Sequence, residues 1–512
     1  MTRWSWVIDQ RRCIGCHACT TACKSENDVA LGVFRTWVKQ VDVGTFPAVR
    51  RHFAVLRCNH CEDAPCVAIC PVTAMYQRTD GLVDFDEDLC IGCKACMQAC
   101  PYDAIYMDPD TNTAAKCNFC SHRVDEGLLP ACVVVCPVEA LVFGDMDDPT
   151  SRASRLIAEQ RVSVRRPEQR TKPKAFYIGA HEAALDPLGA ERGEMYMWAD
   201  AEAVKRYGGK AVRDTTRRLP LYRSTALPLA APARVSYDIP RQRTWGWKVS
   251  SYIWTKSVAA GAALVPALMR IAHRDTSAIA FARALPAIAL LFLALTTVLL
   301  VADLKRPERF WTILLRPQWR SWLARGAVVL TVYGALLATW AVASWRGAAD
   351  WLDLLAWPVA ATALLAAVYT AFLFAQCEGR DLWQSPLMPF HLALHALIAG
   401  AAMLLELLPS AAPALAAPTA AALGLAAMLA LLDALGRHPT ANGAAAAHAL
   451  ARGPFAMMYW TSLLGGLVVP AVVLLVGTDA PLLVPAAGAL ALAGLWLNGH
   501  ALVLAGQGPA IS

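Results

Sequence analysis

The chain is 512 residues long, 56% hydrophobic, and carries 47 basic against 40 acidic residues for a net charge of +7. Length and apolar content exclude a disordered chain or a small disulfide-stapled scaffold. The positive excess is too slight and too dispersed to signal a nucleic-acid partner, so none is expected.

The first predicted element is an apolar strand, Trp4-Ser5-Trp6-Val7-Ile8, that runs into the first of four cysteine groups. Sixteen of the 17 cysteines lie between Cys13 and Cys136. The groups are Cys13, Cys16, Cys19, Cys23; then Cys58, Cys61, Cys66, Cys70; then Cys90, Cys93, Cys96, Cys100; and finally Cys117, Cys120, Cys132, Cys136. The first and third share an x2-x2-x3 spacing, which is that of cubane iron–sulfur ligands. Structural zinc is the alternative for tight cysteine turns, but zinc sites complete their four ligands locally. Here Cys70, Cys100 and Cys136 each open a Cys-Pro-x-x-Ala run. Predicted strands follow at Ala74-Met75-Tyr76, Ala104-Ile105-Tyr106 and Ala140-Leu141-Val142. A cysteine before proline is the ferredoxin ending, whose fourth thiolate serves the other cluster of a pair.

Crossed in that way, the sixteen cysteines make four sets. Cys13, Cys16 and Cys19 join Cys136; Cys117, Cys120 and Cys132 join Cys23; Cys58, Cys61 and Cys66 join Cys100; Cys90, Cys93 and Cys96 join Cys70. Four 4Fe-4S clusters are the expected metal cofactors. Cys377 reads as an ordinary thiol, and the basic run Arg50, Arg51, His52 with Arg57 as a solvated face, with partner docking as the alternative.

Several local sequences then carry a family likeness: Cys13-Ile14-Gly15-Cys16-His17-Ala18-Cys19, Ala22-Cys23-Lys24, Cys58-Asn59-His60-Cys61, Pro65-Cys66, Cys117-Asn118-Phe119-Cys120 and Thr171-Lys172-Pro173. Through them residues 1–200 resemble the four-cluster electron-transfer subunit of molybdopterin oxidoreductases, the group of dimethyl sulfoxide, polysulfide, tetrathionate and formate enzymes. The resemblance implies the same crossed pairing and a molybdopterin-containing catalytic subunit as partner.

Composition changes near residue 245, after which only ten acidic residues occur. Stretches long and apolar enough for a bilayer fall near 249–269, 279–301, 326–345, 354–376, 390–408, 414–435, 456–477 and 482–504. The expected fold is therefore an α+β tandem ferredoxin-like 4Fe-4S domain over 1–200, a polar, Pro/Ala-rich linker over 201–245, and an all-α integral membrane domain of about eight helices over 246–512. Residues after Asp145 are expected as a polar extension, and Trp245 and Trp247 as interfacial anchors. Loops on the cluster side hold nine basic residues (Lys305, Arg306, Arg309, Arg316, Arg320, Arg325, Arg380, Arg437, Arg452) against four opposite (Arg270, Arg274, Arg283, Arg346). Positive-inside bias, and the lack of a signal peptide before Cys13, lead to the expectation of a cluster domain on the cytoplasmic face of a bacterial-type inner membrane, with co-export on a signal-bearing partner as the alternative.

The loop Asp303-Leu304-Lys305-Arg306-Pro307-Glu308-Arg309-Phe310-Trp311, with Leu315-Arg316-Pro317 and Arg320-Ser321-Trp322, resembles the signature of NrfD-like, polysulfide-reductase-type subunits. That resemblance implies eight helices and a bound quinone, ubiquinone or menaquinone, without haem. Ionisable groups inside spans are functional candidates. Lys256, Tyr369 and Asp303 are the catalytic candidates toward quinone, and Tyr252 and His391 the candidate binding residues. Each has a plainer alternative. Lys256 would snorkel, Tyr252 anchor at the interface, Asp303 pair with a loop arginine and Tyr369 bond to backbone. His391 and His395, four residues apart on one helix face, cannot clasp one haem from both sides. The expected function is an iron–sulfur and membrane-anchor subunit of a respiratory molybdopterin oxidoreductase. Such a subunit reacts with the quinone pool and leaves the soluble substrate to its partner. A multihaem cytochrome or hydrogenase partner, or a tether without its own quinone site, are the alternatives.

Overall fold

The structure is a computed structural model and describes residues 2–192, 232–242, 244–274, 283–477 and 482–512. Two compact units divide the chain. The first comprises Met1–Thr244 with Cys377–Arg380 and Gly508–Ser512, the second Trp245–Gln376 with Asp381–Gln507.

In the first unit the strands are β1 (Trp4–Asp9), β2 (Thr36–Val43), β3 (Arg50–Arg57), β4 (Met75–Gln77), β5 (Val83–Phe85), β6 (Ile105–Met107), β7 (Ala114–Lys116), β8 (Leu141–Asp145), β9 (Val162–Ser163), β10 (Ala175–Ile178), β11 (Glu191–Arg192) and β12 (Ala233–Tyr237). Trp6, Val7 and Ile8 of β1 are wholly buried, as a strand covered on both faces requires. β1 pairs antiparallel with β8 and parallel with β10, and β9 closes the sheet. The residues after Asp145 are thus more than a polar extension. They supply β10, whose apolar run Ala175-Phe176-Tyr177-Ile178 borders β1. The Cys-Pro repeats lead into two matched hairpins, β4–β5 and β6–β7, each three residues long per strand.

A second sheet runs β11-β12-β2-β3. β12 falls inside the segment expected as a linker, while 201–231 lies outside the described residues. What fixes β12 is a buried charge cluster just beyond it. Asp238 pairs with Arg192 at 3.1 Å and with Arg241 at 3.1 Å, and Arg241 reaches Asp103 at 2.9 Å. Lys39 of β2 is wholly buried beside these groups, its Nζ without a hydrogen-bond partner among the described residues. Burial, reinforced by Arg192, pulls its pKa down to about 7. A lysine depressed on folding binds fewer protons folded than unfolded between that value and its ordinary one of about 10.4. Stability should therefore rise with pH from about 7 to about 10. Comparing denaturation midpoints of wild type and Lys39→Met across that range should show the rise in the former and a flatter profile in the latter.

The second unit holds, among the described residues, eight helices long and apolar enough to cross a membrane: Trp247–Ile271, Leu285–Asp303, Trp322–Arg346, Ala349–Ala375, Met388–Leu407, Pro413–Leu435, Ala456–Val476 and Leu483–Gly506. The first span is the most enclosed and packs on the second, fourth, fifth and eighth. Its Gly261 meets Gly400 of the fifth span so closely that a Cβ on either would run into the other helix's backbone. Small residues permit such approach where lipid offers no hydrophobic drive. Gly466 and Gly494 do the same for the seventh and eighth spans. A further short helix, Ala441–Ala451, begins at Thr440, whose hydroxyl accepts from Gly443 N at 3.0 Å. Trp247 is 55% exposed, but Trp245, expected with it as an interfacial anchor, is buried. It stacks on Trp383 at 5.5 Å, and its backbone is clamped by the Gln507 amide, which donates to Trp245 O at 2.8 Å.

Candidate functional site

Gly15 and Gly92 occupy the middle of the two x2-x2-x3 turns with φ near +70°, a conformation that glycine adopts freely. Each turn feeds a short helix carrying the next cysteines, Ala18–Glu26 and Ala95–Ala99. The fold then gathers cysteines distant in sequence. Cys23 lies within electrostatic reach of Cys117, Cys132 and Cys120, and Cys13 of Cys136 and Cys16. Cys66 lies within reach of Cys58, Cys100 and Cys61, and Cys93 of Cys70 and Cys90. Cys70, Cys90, Cys93 and Cys96 line one cavity.

Three observations test whether these residues suit iron–sulfur clusters. All 17 cysteines are free thiols, which removes a disulfide framework. No three His, Cys, Asp or Glu side chains among the described residues are grouped as ligands of a single metal ion. Donors are also aimed at sulfur. Met75 N reaches Cys70 Sγ at 3.4 Å, Ala114 N reaches Cys90 Sγ at 3.4 Å, and Ala140 N reaches Cys136 Sγ at 3.2 Å. Asn27 Nδ2 bridges Cys23 Sγ at 3.8 Å and Cys120 Sγ at 3.7 Å. Burial pushes the Cys19 thiol up to about 11 and those of Cys93, Cys100 and Cys117 up to about 12. Such thiols ionise only with a cationic group to hold them, and metal binding would release their protons. The residues fit 4Fe-4S clusters.

Cys377 belongs to this unit. Burial raises its thiol, and Arg380 and Cys93 lie within its electrostatic reach. Arg380, expected as a loop charge, is buried with its Nε donating to Gln98 Oε1 at 2.6 Å. Arg57, expected on a solvated face, is wholly buried.

In the second unit Lys256 is 1% exposed, midway along the first span. Its Nζ donates to Ala367 O at 3.0 Å and to the Thr370 hydroxyl, and stands 4.2 Å from the Tyr369 ring centre. No carboxylate pairs with it among the described residues. The buried lysine does not snorkel. Tyr369 packs against Gly326 of the third span, where no side chain would fit. Tyr252, one turn before Lys256, is buried, and Asp303 is half-buried at the end of the second span. Lys256 and Tyr369 are therefore brought together, and His391 is not part of that group. His391 lines a different cavity of about 540 Å³ with His395, Asp433, Tyr459 and Asn498. There His391 Nε2 stands 2.8 Å from Asp433 Oδ2 without meeting hydrogen-bond geometry. The Ser385 hydroxyl donates to Asp433 Oδ1 at 2.8 Å. The polar residues of the last span act as bridges between helices, His500 Nδ1 meeting Ser250 Oγ at 2.9 Å and Asn498 Nδ2 meeting Ser462 Oγ at 3.4 Å. Sequence reasoning missed Thr370 as a partner, because it pairs with a residue on another span; Asp433, read as paired rather than catalytic, is paired with His391 and Ser385.

Comparison with known proteins agrees with both halves. Residues 5–71 and 49–146 each match a family described as a 4Fe-4S dicluster domain, and residues 238–509, just over half of the chain, match the family described as polysulphide reductase, NrfD. One subunit of the tetrathionate reductase of Salmonella typhimurium is 44% identical over 39% of this chain and 80% of its own length. A putative dimethyl sulfoxide reductase iron–sulfur subunit of Halobacterium salinarum is 39% identical over 43% of this chain and 97% of its own length. One polypeptide of the polysulfide reductase of Wolinella succinogenes is 42% identical over 34% and 94%. The chain is an integral membrane member of the NrfD polysulphide reductase family, with an iron–sulfur subunit of the kind found in these reductases fused ahead of its membrane domain.

Proposed function

We propose that this chain is the quinone-reactive iron–sulfur subunit of a respiratory molybdopterin oxidoreductase, carrying electrons through four 4Fe-4S clusters between a catalytic partner and the quinone pool. The observation that supports this most is the pairing, on one polypeptide, of four gathered cysteine groups with membrane spans that bury a lysine lacking any carboxylate partner among the described residues. When bound, the clusters supply one-electron redox chemistry and the quinone a two-electron, two-proton couple.

The chain's own residues hold and prepare these groups. Cys13, Cys16, Cys19 and Cys136 hold the first cluster, with Cys23, Cys117, Cys120 and Cys132 holding its pair. Cys58, Cys61, Cys66 and Cys100 hold the third, and Cys70, Cys90, Cys93 and Cys96 the fourth. Lys256 donates from Nζ to Ala367 O and to the Thr370 hydroxyl. The same Nζ is assigned to a quinone oxygen, with the Tyr369 hydroxyl as the second donor and Tyr252 beside them. Asp303, at the end of the second span, and His391, held by Asp433, are assigned to pass protons. The eight basic residues that remain on the cluster-side loops once buried Arg380 is set aside outnumber the four opposite and favour a cytoplasmic position for the cluster domain in a bacterial-type inner membrane.

Purification of the chain from its native membrane tests the partner. A co-purifying polypeptide with stoichiometric molybdenum and pterin is expected. Covalent haem in its place, with no molybdenum, would transfer the chain to a cytochrome complex.

A further inference from the structure

The second and fourth cysteine groups begin with the same five-residue pattern, a basic residue, Cys, Asn, an aromatic ring and Cys. It reads Arg57-Cys58-Asn59-His60-Cys61 in one and Lys116-Cys117-Asn118-Phe119-Cys120 in the other. The two copies pack against each other. His60 and Phe119, at equivalent positions, have ring centres 4.0 Å apart, and Cys58 and Cys117 lie within electrostatic reach.

Both basic residues ending the preceding strands are wholly buried. Arg57 lies 4.2 Å over the Trp6 ring and directs Nη1 to Cys132 Sγ at 3.3 Å. Its Nε and Nη2 have no hydrogen-bond partner, and no carboxylate pairs with it, among the described residues. A guanidinium stripped of water and of any anion is costly, unless negative charge is supplied where its free N–H groups point. The thiols around it belong to Cys132, Cys117 and Cys19. Lys116 donates from Nζ to Cys117 O at 3.1 Å and to Val83 O, and its charge acts on Cys66. The arrangement is therefore crossed. Arg57 precedes Cys58 but faces Cys132 of the other set, with Cys117 and Cys19 also within electrostatic reach, and Lys116 precedes Cys117, bonds its carbonyl and reaches Cys66 electrostatically.

We propose that Arg57 and Lys116 are a reciprocal pair of potential-setting cations, each raising the reduction potential of the cluster held by the other repeat. The proposal rests on the four-cluster assignment above. Adding one electron makes a cluster more negative by one charge, and a fixed cation buried beside it favours that state. The hop between the two sets moves one electron, oxidising one cluster as its neighbour is reduced, with no bond or proton changed. Holding both clusters at raised potential keeps the electron on the crossing between the repeats. Neither cation takes up or releases the electron; both are positioning residues.

Potentiometric titration followed by electron paramagnetic resonance, on the whole chain in detergent, tests this. Arg57→Gln should make one spectral component harder to reduce, with the reduced-to-oxidised ratio at fixed potential falling about tenfold or more, a shift of about 59 mV for a one-electron couple. Lys116→Gln should move a different component by a similar factor. Arg57→Lys, which keeps the charge, should restore most of the shift. All four potentials unmoved in both Gln variants, with about 16 iron retained per chain, overturns the proposal, as does an equal shift of every component. Should Arg57→Gln lose iron, Lys116→Gln decides on its own component. Wild-type chain without iron and acid-labile sulfide defeats the cluster assignment instead, which keeps the two failures apart.

Discussion

Cys100→Ala is expected to remove the cluster held with Cys58, Cys61 and Cys66, lowering iron from about 16 to about 12 per chain. The three cysteines just before it should keep theirs. Local ligation would predict the reverse, because Cys90, Cys93 and Cys96 are its nearest neighbours in sequence. In space Cys100 lies within reach of Cys58, whereas the cavity holding Cys90, Cys93 and Cys96 is completed by Cys70. Electron paramagnetic resonance separates the outcomes. The component missing from Cys100→Ala should be the one missing from Cys61→Ala, and should persist in Cys93→Ala. Loss of the Cys93 component in Cys100→Ala would refute crossed ligation.

The second large effect is expected at Lys256. Replacing it with methionine preserves most of the volume and removes the Nζ donors. Quinone-dependent turnover of the assembled complex should fall about a hundredfold or more, the scale of losing a positioned proton donor. Iron content and reduction of the clusters by dithionite should stay as in wild type. Thr370→Val, which removes one acceptor of the Lys256 Nζ, should give a smaller loss in the same direction. Unchanged turnover in Lys256→Met would leave the lysine a structural bridge between the first and fourth spans.

The cysteine chemistry was legible because ligand spacing is a local property: the two glycines and the x2-x2-x3 turns carry their geometry with them. The spans were legible for the same reason, since bilayer length and apolar content are counted along the chain. What failed depended on distant partners. Arg57 sits at the end of a basic run whose other members are partly or fully exposed, and only the placement of Trp6 and Cys132 shows it turned inward. Trp245 has the composition of an interfacial anchor, yet Trp383, more than a hundred residues later, covers it. β12 looked like linker because its proline- and alanine-rich approach hides a strand that β2 and the Asp238 cluster hold in place. His391 and Lys256 were grouped as polar residues within spans, whereas the sixth span's Asp433 draws His391 into a separate cavity.

The most direct test of a cluster chain ending at quinone is a rapid-mixing experiment on the purified chain in liposomes. Clusters are first reduced with limiting dithionite and then mixed with ubiquinone or menaquinone while visible absorbance is followed. In wild type one of the quinones is expected to reoxidise the clusters within the mixing series, whereas Lys256→Met with full iron content is expected to remain reduced. Wild-type clusters that stay reduced with both quinones, at about 16 iron per chain, would contradict a cluster chain ending at quinone.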